Sequence, residues 1–305
     1  MSPKSNQPVP SPQEVEAGSL LAKHEDEIVT SLLGLLPKDP EDWQLVGIVN
    51  RDQDVYTFGN DSKIVGRAFE VIATSYVKEL ANTLGYKFHE SEIQTVYPDF
   101  VLEKPNGRLI AIDVKSTYRD FDRKGNARVF NFTLGSFTSY LRNGTKNIYR
   151  EYGDYDAHYV LAFLYSRTNR FETTKVSIDE IDSIQPAYKD VEIAFMEKYR
   201  LAGDKTGSGN TDNIGTFKSN SMEPFQYGAG PFALLGNEVF EHYWRNYPRN
   251  ADTAKQKAGK FKNLPAYFDW LDRQSDSLFD VDALRKTYTD YKNFVPAKGW
   301  KIALN

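Results

Sequence analysis

The sequence predicts an α/β protein of the α+β kind, with a mixed central β-sheet flanked by helices. Three observations carry that expectation. A stripe of Val65, Phe69, Ile72, Tyr76 and Leu80 recurs at helical spacing and stops at Gly85. Two strand-like runs, 96–103 and 108–115, are joined by Lys104-Pro105-Asn106-Gly107, and Asn-Gly between apolar runs is a strong hairpin signal. Further apolar runs follow without strict alternation of strand and helix, which argues against a regular doubly wound fold.

Taken in order, residues 1–13 are rich in Pro, Ser and Asn, and 1–20 is expected to be a flexible tail. Between 25 and 36, Ile28, Leu32, Leu33 and Leu36 predict a short amphipathic helix. The stretches 46–49 and 55–58 read as paired strands. Gly59-Asn60-Asp61-Ser62 is a turn whose Asp61 or Ser62 caps the long helix. After the hairpin, 159–165 reads as a buried strand and 191–195 as a further one. Beyond residue 273, Leu278, Val281, Leu284 and Tyr288 predict one more helix. The expected division is a tail (1–20), one domain (21–273) and a helical C-terminal extension (274–305).

The chain of 305 residues is 40% hydrophobic, enough for a substantial core. Its net charge of −4 is unlike that of most nucleic-acid binders, but total charge does not say where charges sit. The absence of cysteine excludes disulfides, thiolate zinc sites and cysteine nucleophiles, and fits a reducing interior. The longest apolar run, 159–165, is too short to span a bilayer, and the N-terminus lacks a charged-then-apolar signal pattern. A cytoplasmic protein with no membrane partner is expected. His24, His89, His158 and His242 are scattered without ligand spacing.

The hairpin holds the chemistry. Side chains alternate along a strand, so Asp113 and Lys115 share one face while Ile110, Ile112 and Val114 bury the other. Asp99, directly after Pro98, can approach Asp113 across the ladder. Hydrolysis of a phosphodiester needs an activated water, a neutralised phosphate and a stabilised leaving oxygen; carboxylates holding a hard cation meet these needs. In this reading Asp99 and Asp113 hold Mg²⁺, Lys115 stabilises developing charge or helps generate hydroxide, and Glu70 of the long helix adds a further carboxylate. The bland alternative is a solvated surface ion pair.

Tyr97-Pro98-Asp99-Phe100 followed by residues 110–118 resembles the active-site hairpin of the PD-(D/E)XK nucleases, and within them the EcoRV-type restriction endonucleases. Three further blocks match in order. Gly59-Asn60-Asp61-Ser62-Lys63 leads into the helix with Phe69-Glu70. Phe132-Thr133-Leu134-Gly135 continues through Thr138-Ser139 to 142–148. Ala202-Gly203-Asp204 precedes the glycine-rich stretch 207–215. The similarity runs from about 46 to about 249.

That resemblance implies a restriction-endonuclease-like fold, with catalysis and DNA binding in 21–273. It implies Asp99, Asp113 and Lys115 as catalytic residues, Asp99, Asp113 and Glu70 at the metal, and Mg²⁺ as cofactor with Mn²⁺ as substitute. It implies Gly207, Ser208, Gly209, Asn210, Thr211 and Asn213 as major-groove readers, with Gln94 retained from a minor-groove segment. Read without the family, 203–215 is a flexible loop. Candidate phosphate contacts are Lys63, Ser116, Thr117, Ser139 and Lys146, together with Arg245 and Arg249 in a stretch (245–262) of six Lys or Arg against one acid. Asp212 departs from the family's neutral residue; it points away, pairs with Lys205 or accepts from a cytosine amine. The implied target is duplex GATATC cut bluntly at its centre. A palindrome calls for a homodimer, with the first helix and following strands as dimer elements. The alternatives are a differently targeted nuclease of this fold and a DNA-binding relative that has lost cleavage.

Overall fold

The computed structural model describes residues 26–91, 95–168, 173–207, 211–274 and 278–303. The expected tail at 1–20, Gln94, and Ser208, Gly209 and Asn210 lie outside the described residues. Helix α1 (Glu27–Leu35) is opened by Asp26, whose carboxylate accepts from the Ile28 and Val29 amides. Strands β1 (Ile48–Val49) and β2 (Asp54–Tyr56) form the expected antiparallel pair.

Helix α2 (Ser62–Leu84) follows. Asp61, not Ser62, is its cap, accepting from Lys63 and Ile64, and Gly85 ends it at φ 68, where a glycine carries no Cβ penalty. The buried ridge is Val65, Phe69, Ala73, Val77 and Leu80. Ile72 and Tyr76 are only half-buried, because the helix turns its small Ala73 toward the sheet and lies close upon it.

Next come β3 (Lys87–Glu90), β4 (Phe100–Glu103), β5 (Leu109–Tyr118), β6 (Thr133–Ser136), β7 (Tyr155–Arg167), β8 (Lys175–Ser177) and β9 (Tyr188–Glu197). The central sheet runs β3-β4-β5-β7-β9; β5 and β7 are parallel, and the other pairs antiparallel. This is the mixed sheet expected. Strand β7, between β5 and β9, is longer than 159–165 because it is covered on both faces, which is also why its sequence is nearly continuous in apolar residues. The run 191–195 lies inside β9, while β8 extends the β1–β2 pair.

One face of the sheet packs on α1, α2 and Trp43, where Phe69 stacks on Phe163 with ring centroids 4.4 Å apart. The other face carries a second layer. There β10 (Ala202–Thr206) pairs with β11 (Asn213–Thr216), and β11 with β6. The short β12 (Lys218–Ser219), α3 (Asn237–Asn246), α4 (Leu264–Asp272), α5 (Val281–Ala297) and β13 (Ile302–Ala303) complete it. Helix α5 is the extra helix expected, but it begins after its cap Asp280 and buries Tyr288, Tyr291, Phe294 and Val295; Leu278 precedes it and is 86% exposed. Among the described residues, no helix is long and apolar enough to cross a membrane.

A buried carboxylate pair as candidate active site

The geometry of the β4–β5 hairpin follows from its register. Phe100 faces Ile112 and Val101 faces Ala111, so continuing the ladder one step brings Asp99 opposite Asp113. Alternation then sends Ile110, Ile112 and Val114 into the α2 layer, and Asp113 to the opposite face. Asp99 is fixed by its own strand partner, its Oδ2 accepting the Val114 amide at 2.7 Å.

Asp113 is 5% exposed, and its Oδ2 lies 2.5 Å from the Lys115 ammonium. The two groups form an ion pair, and the Lys115 ammonium also donates to the Val114 carbonyl at 3.0 Å. Burial first, then the charge of Asp113, pushes the Asp99 carboxyl up to about 7, against the pull of Lys115 and the Val114 amide. Burial opposes the charge on Lys115, but Asp113 and Asp99 outweigh it and hold the ammonium above the ordinary lysine range. A buried carboxylate facing a half-buried one, with the single Lys115 ammonium against two like charges, suits a small hard cation. Among the described residues, no three His, Cys, Asp or Glu side chains converge as a complete protein cage. Asp99 and Asp113 would therefore be the direct protein ligands, and water and substrate would fill the remaining positions.

The family described as restriction endonuclease EcoRV matches residues 39–272. The chain belongs to the EcoRV restriction endonuclease family. The type II restriction enzyme EcoRV of Escherichia coli is 34% identical over 248 residues, covering 80% of this chain and 97% of that protein. A solved bacterial homing endonuclease, I-Ssp6803I, aligns at 18% identity over 43% of this chain and 79% of its own, with a TM-score of 0.21, and carries no weight here.

For a member of the EcoRV family, the remaining predicted residues fall into distinct places. Glu70 is on α2 and paired with Arg67 at 2.5 Å; its charge reaches Asp99 and Lys115, but it does not close a third corner of the carboxylate pair. Lys63 is exposed in the first turn of α2. Thr117 follows Asp113 and Lys115 in the strand alternation, whereas Ser116 faces α2 beside Gly66. Ser139 is buried and donates to the Lys146 carbonyl at 2.8 Å, so its hydroxyl closes a loop; the Lys146 side chain is exposed. Arg245 and Arg249 are half-exposed and paired with Glu241 and Asp252.

At the β10–β11 hairpin, Gly207 donates to Asn213 O at 3.0 Å and accepts from Asn131 Nδ2 at 3.1 Å, so both its backbone groups are engaged within the protein. Asn213 sits opposite Ser136 of β6. Thr211 is described, while Ser208, Gly209 and Asn210 between it and Gly207 are outside the described residues. Asp212 accepts the Asn250 amide on its Oδ1 at 2.8 Å.

Sequence reasoning missed Lys198. Its ammonium is 4% exposed, donates to the Tyr140 hydroxyl, and lies 4.5 Å from the Tyr97 ring and 4.7 Å from the Tyr140 ring. Burial pulls its pKa down to about 7, with Asp113 opposing. No clear signal marked it, because Lys198 stands between Glu197 and Arg200 as an ordinary surface lysine would. Arg67 was missed although its i,i+3 partner Glu70 stands one turn on in the sequence; its reach to Glu90 and Asp99 shows only in three dimensions.

Proposed function

We propose that the protein is a Mg²⁺-dependent type II restriction endonuclease. As a homodimer in the cytoplasm, it would hydrolyse both strands of duplex GATATC at the centre, leaving blunt ends and 5′-phosphates, with Mn²⁺ able to replace Mg²⁺. The observation that carries this reading is the buried opposition of Asp99 and Asp113, with Lys115 on the same strand as Asp113 and in contact with it. Mg²⁺ is held by one or two carboxylates plus water and phosphate, not by an all-protein cage, which matches a two-acid site. When bound it would neutralise the scissile phosphate and acidify a water.

The chain's own residues do the rest. Asp99 and Asp113 fix the position of the reacting phosphate through the cation they hold. Lys115 offers an ammonium to the oxygens on which charge gathers as the 3′-oxygen leaves. Glu70, with Arg67 beside it, orders water at the α2 side. The loop at 207–213 reads base edges through Ser208, Gly209, Asn210, Thr211 and Asn213, and Gln94 approaches the minor groove. Lys63, Thr117, Lys146, Arg245 and Arg249 contact phosphates and set affinity. The two-fold partner packs on the β1–β2 edge, where Ile48, Val49 and Tyr56 are 64%, 52% and 44% exposed.

Digestion of a long mapped DNA with Mg²⁺, followed by sequencing of the fragment ends, tests the proposal. Blunt ends centred on GATATC are expected. Discrete ends elsewhere would overturn the assigned site and keep the endonuclease; intact DNA with Mg²⁺ and with Mn²⁺ would overturn the cleavage itself.

A further inference from the structure

Residues 281–303 fold onto the back of the β10–β11 hairpin, and the family match ends before them, at residue 272. Helix α5 sets Tyr291 so that its hydroxyl donates to Ala229 O at 2.9 Å. Beyond it, β13 pairs with β12, Lys218 facing Ala303 and Ser219 facing Ile302, immediately after β11 leaves the hairpin. Ser219 also exchanges main-chain hydrogen bonds with Phe130, ahead of β6. The extension thus continues the hydrogen-bonded framework on which β6, β10 and β11 stand. A narrow cleft separates β10 and β11 from Tyr288, Tyr291 and Ile302.

At that junction Asp204 of β10 is 5% exposed and accepts the Leu264 amide at 3.1 Å, while its carbonyl accepts the Tyr243 hydroxyl at 2.6 Å. Tyr288 and Tyr291 lie within electrostatic reach of the same carboxylate. The base of the hairpin is therefore bonded to α3 and α4 within the matched region, while α5 and β13, outside it, line the cleft behind the hairpin and pair with β12, the strand that follows β11.

We propose that residues 281–303 are a brace that fixes the stance of the β10–β11 hairpin and thereby sharpens discrimination between the preferred DNA site and near-miss sites. This inference rests on the reading of the hairpin as the recognition element. A small three-stranded sheet with a loosely held base opens readily and can adapt to a wrong base. One held at its base cannot shift to re-pair its donors and acceptors, so a mismatch leaves them unpaired at full cost.

The test is Ile302→Pro, which breaks the β12–β13 pairing, with Tyr291→Phe as the milder variant should the first fail to fold. Hydrogen exchange at 202–206 and 211–216 is compared with cleavage of the preferred duplex and of duplexes with one altered base pair. Faster exchange at the hairpin, with the preferred-to-altered ratio of kcat/KM falling about tenfold, is expected. Unchanged exchange and ratio in a folded variant would overturn the brace, as would equal losses on both duplexes. A wild type that cuts all duplexes alike would overturn the recognition reading itself, a result separable from the others because no variant is needed to see it.

Discussion

Asp99 and Asp113 oppose one another across the ladder, and a proton on Asp99 relieves the repulsion up to about pH 7. Because the folded value lies above the ordinary carboxylate value of 3.8, this proton stabilises the cation-free fold at low pH, and that support is lost as pH rises to about 7. A cation needs the ionised form, so the signs are opposite: cation affinity should fall about tenfold per pH unit below 7 and level off above about 8. Calorimetric titration with Ca²⁺ checks this, and a flat profile would contradict it. Asp113→Ala should lower cleavage by at least about 100-fold while Ca²⁺-supported DNA binding persists; parallel cleavage and gel-shift assays measure both. These residues were legible in the sequence because strand alternation alone puts Asp113 and Lys115 on one face. Lys198 was not, since Tyr97 and Tyr140, which surround its ammonium, are remote from it in the chain.

The two hairpins show what makes an element readable. β4–β5 carries alternation, β-branched residues and an Asn-Gly turn, and its expected boundaries come within a few residues of those found. β10–β11 carries glycines and polar side chains with no period, so it reads as a loop until its partners are seen. Those glycines have a packing reason. A Cβ on Gly215 would sit 2.7 Å from Gly207 Cα and 2.8 Å from Lys205 O, backbone atoms that cannot move aside independently. Gly215→Ala should cost about 1–3 kcal/mol by forcing the strands apart, seen as a lower urea midpoint with an unchanged slope. Cleavage should suffer more than that loss alone explains, because the loop carried by the hairpin is displaced.

For the whole molecule, the sheet class was legible but its order was not. The central β5–β7 pairing joins strands separated by β6 and a long connection, and nothing local in the sequence specifies such a contact. The same scale governs assembly. The β1–β2–β8 sheet ends at β1, whose Ile48 and Val49 stand exposed among the described residues. Ile48→Lys combined with Val49→Lys should shift a dimer to monomer in sedimentation, and reduce paired cuts to little or nothing. A persistent dimer would place the two-fold contact elsewhere.

The bond from Asp212 to the Asn250 amide has a consequence for anyone altering site preference. It ties the segment between the proposed reading loop and β11 to the loop that carries Arg249, so the proposed grip on the backbone and inspection of the bases would be mechanically geared. Exchanging Asp212 for a neutral residue would free that gearing. A relaxed or shifted preference in such a variant would then be a symptom of slack between two parts, and would say nothing about a lost contact with a base.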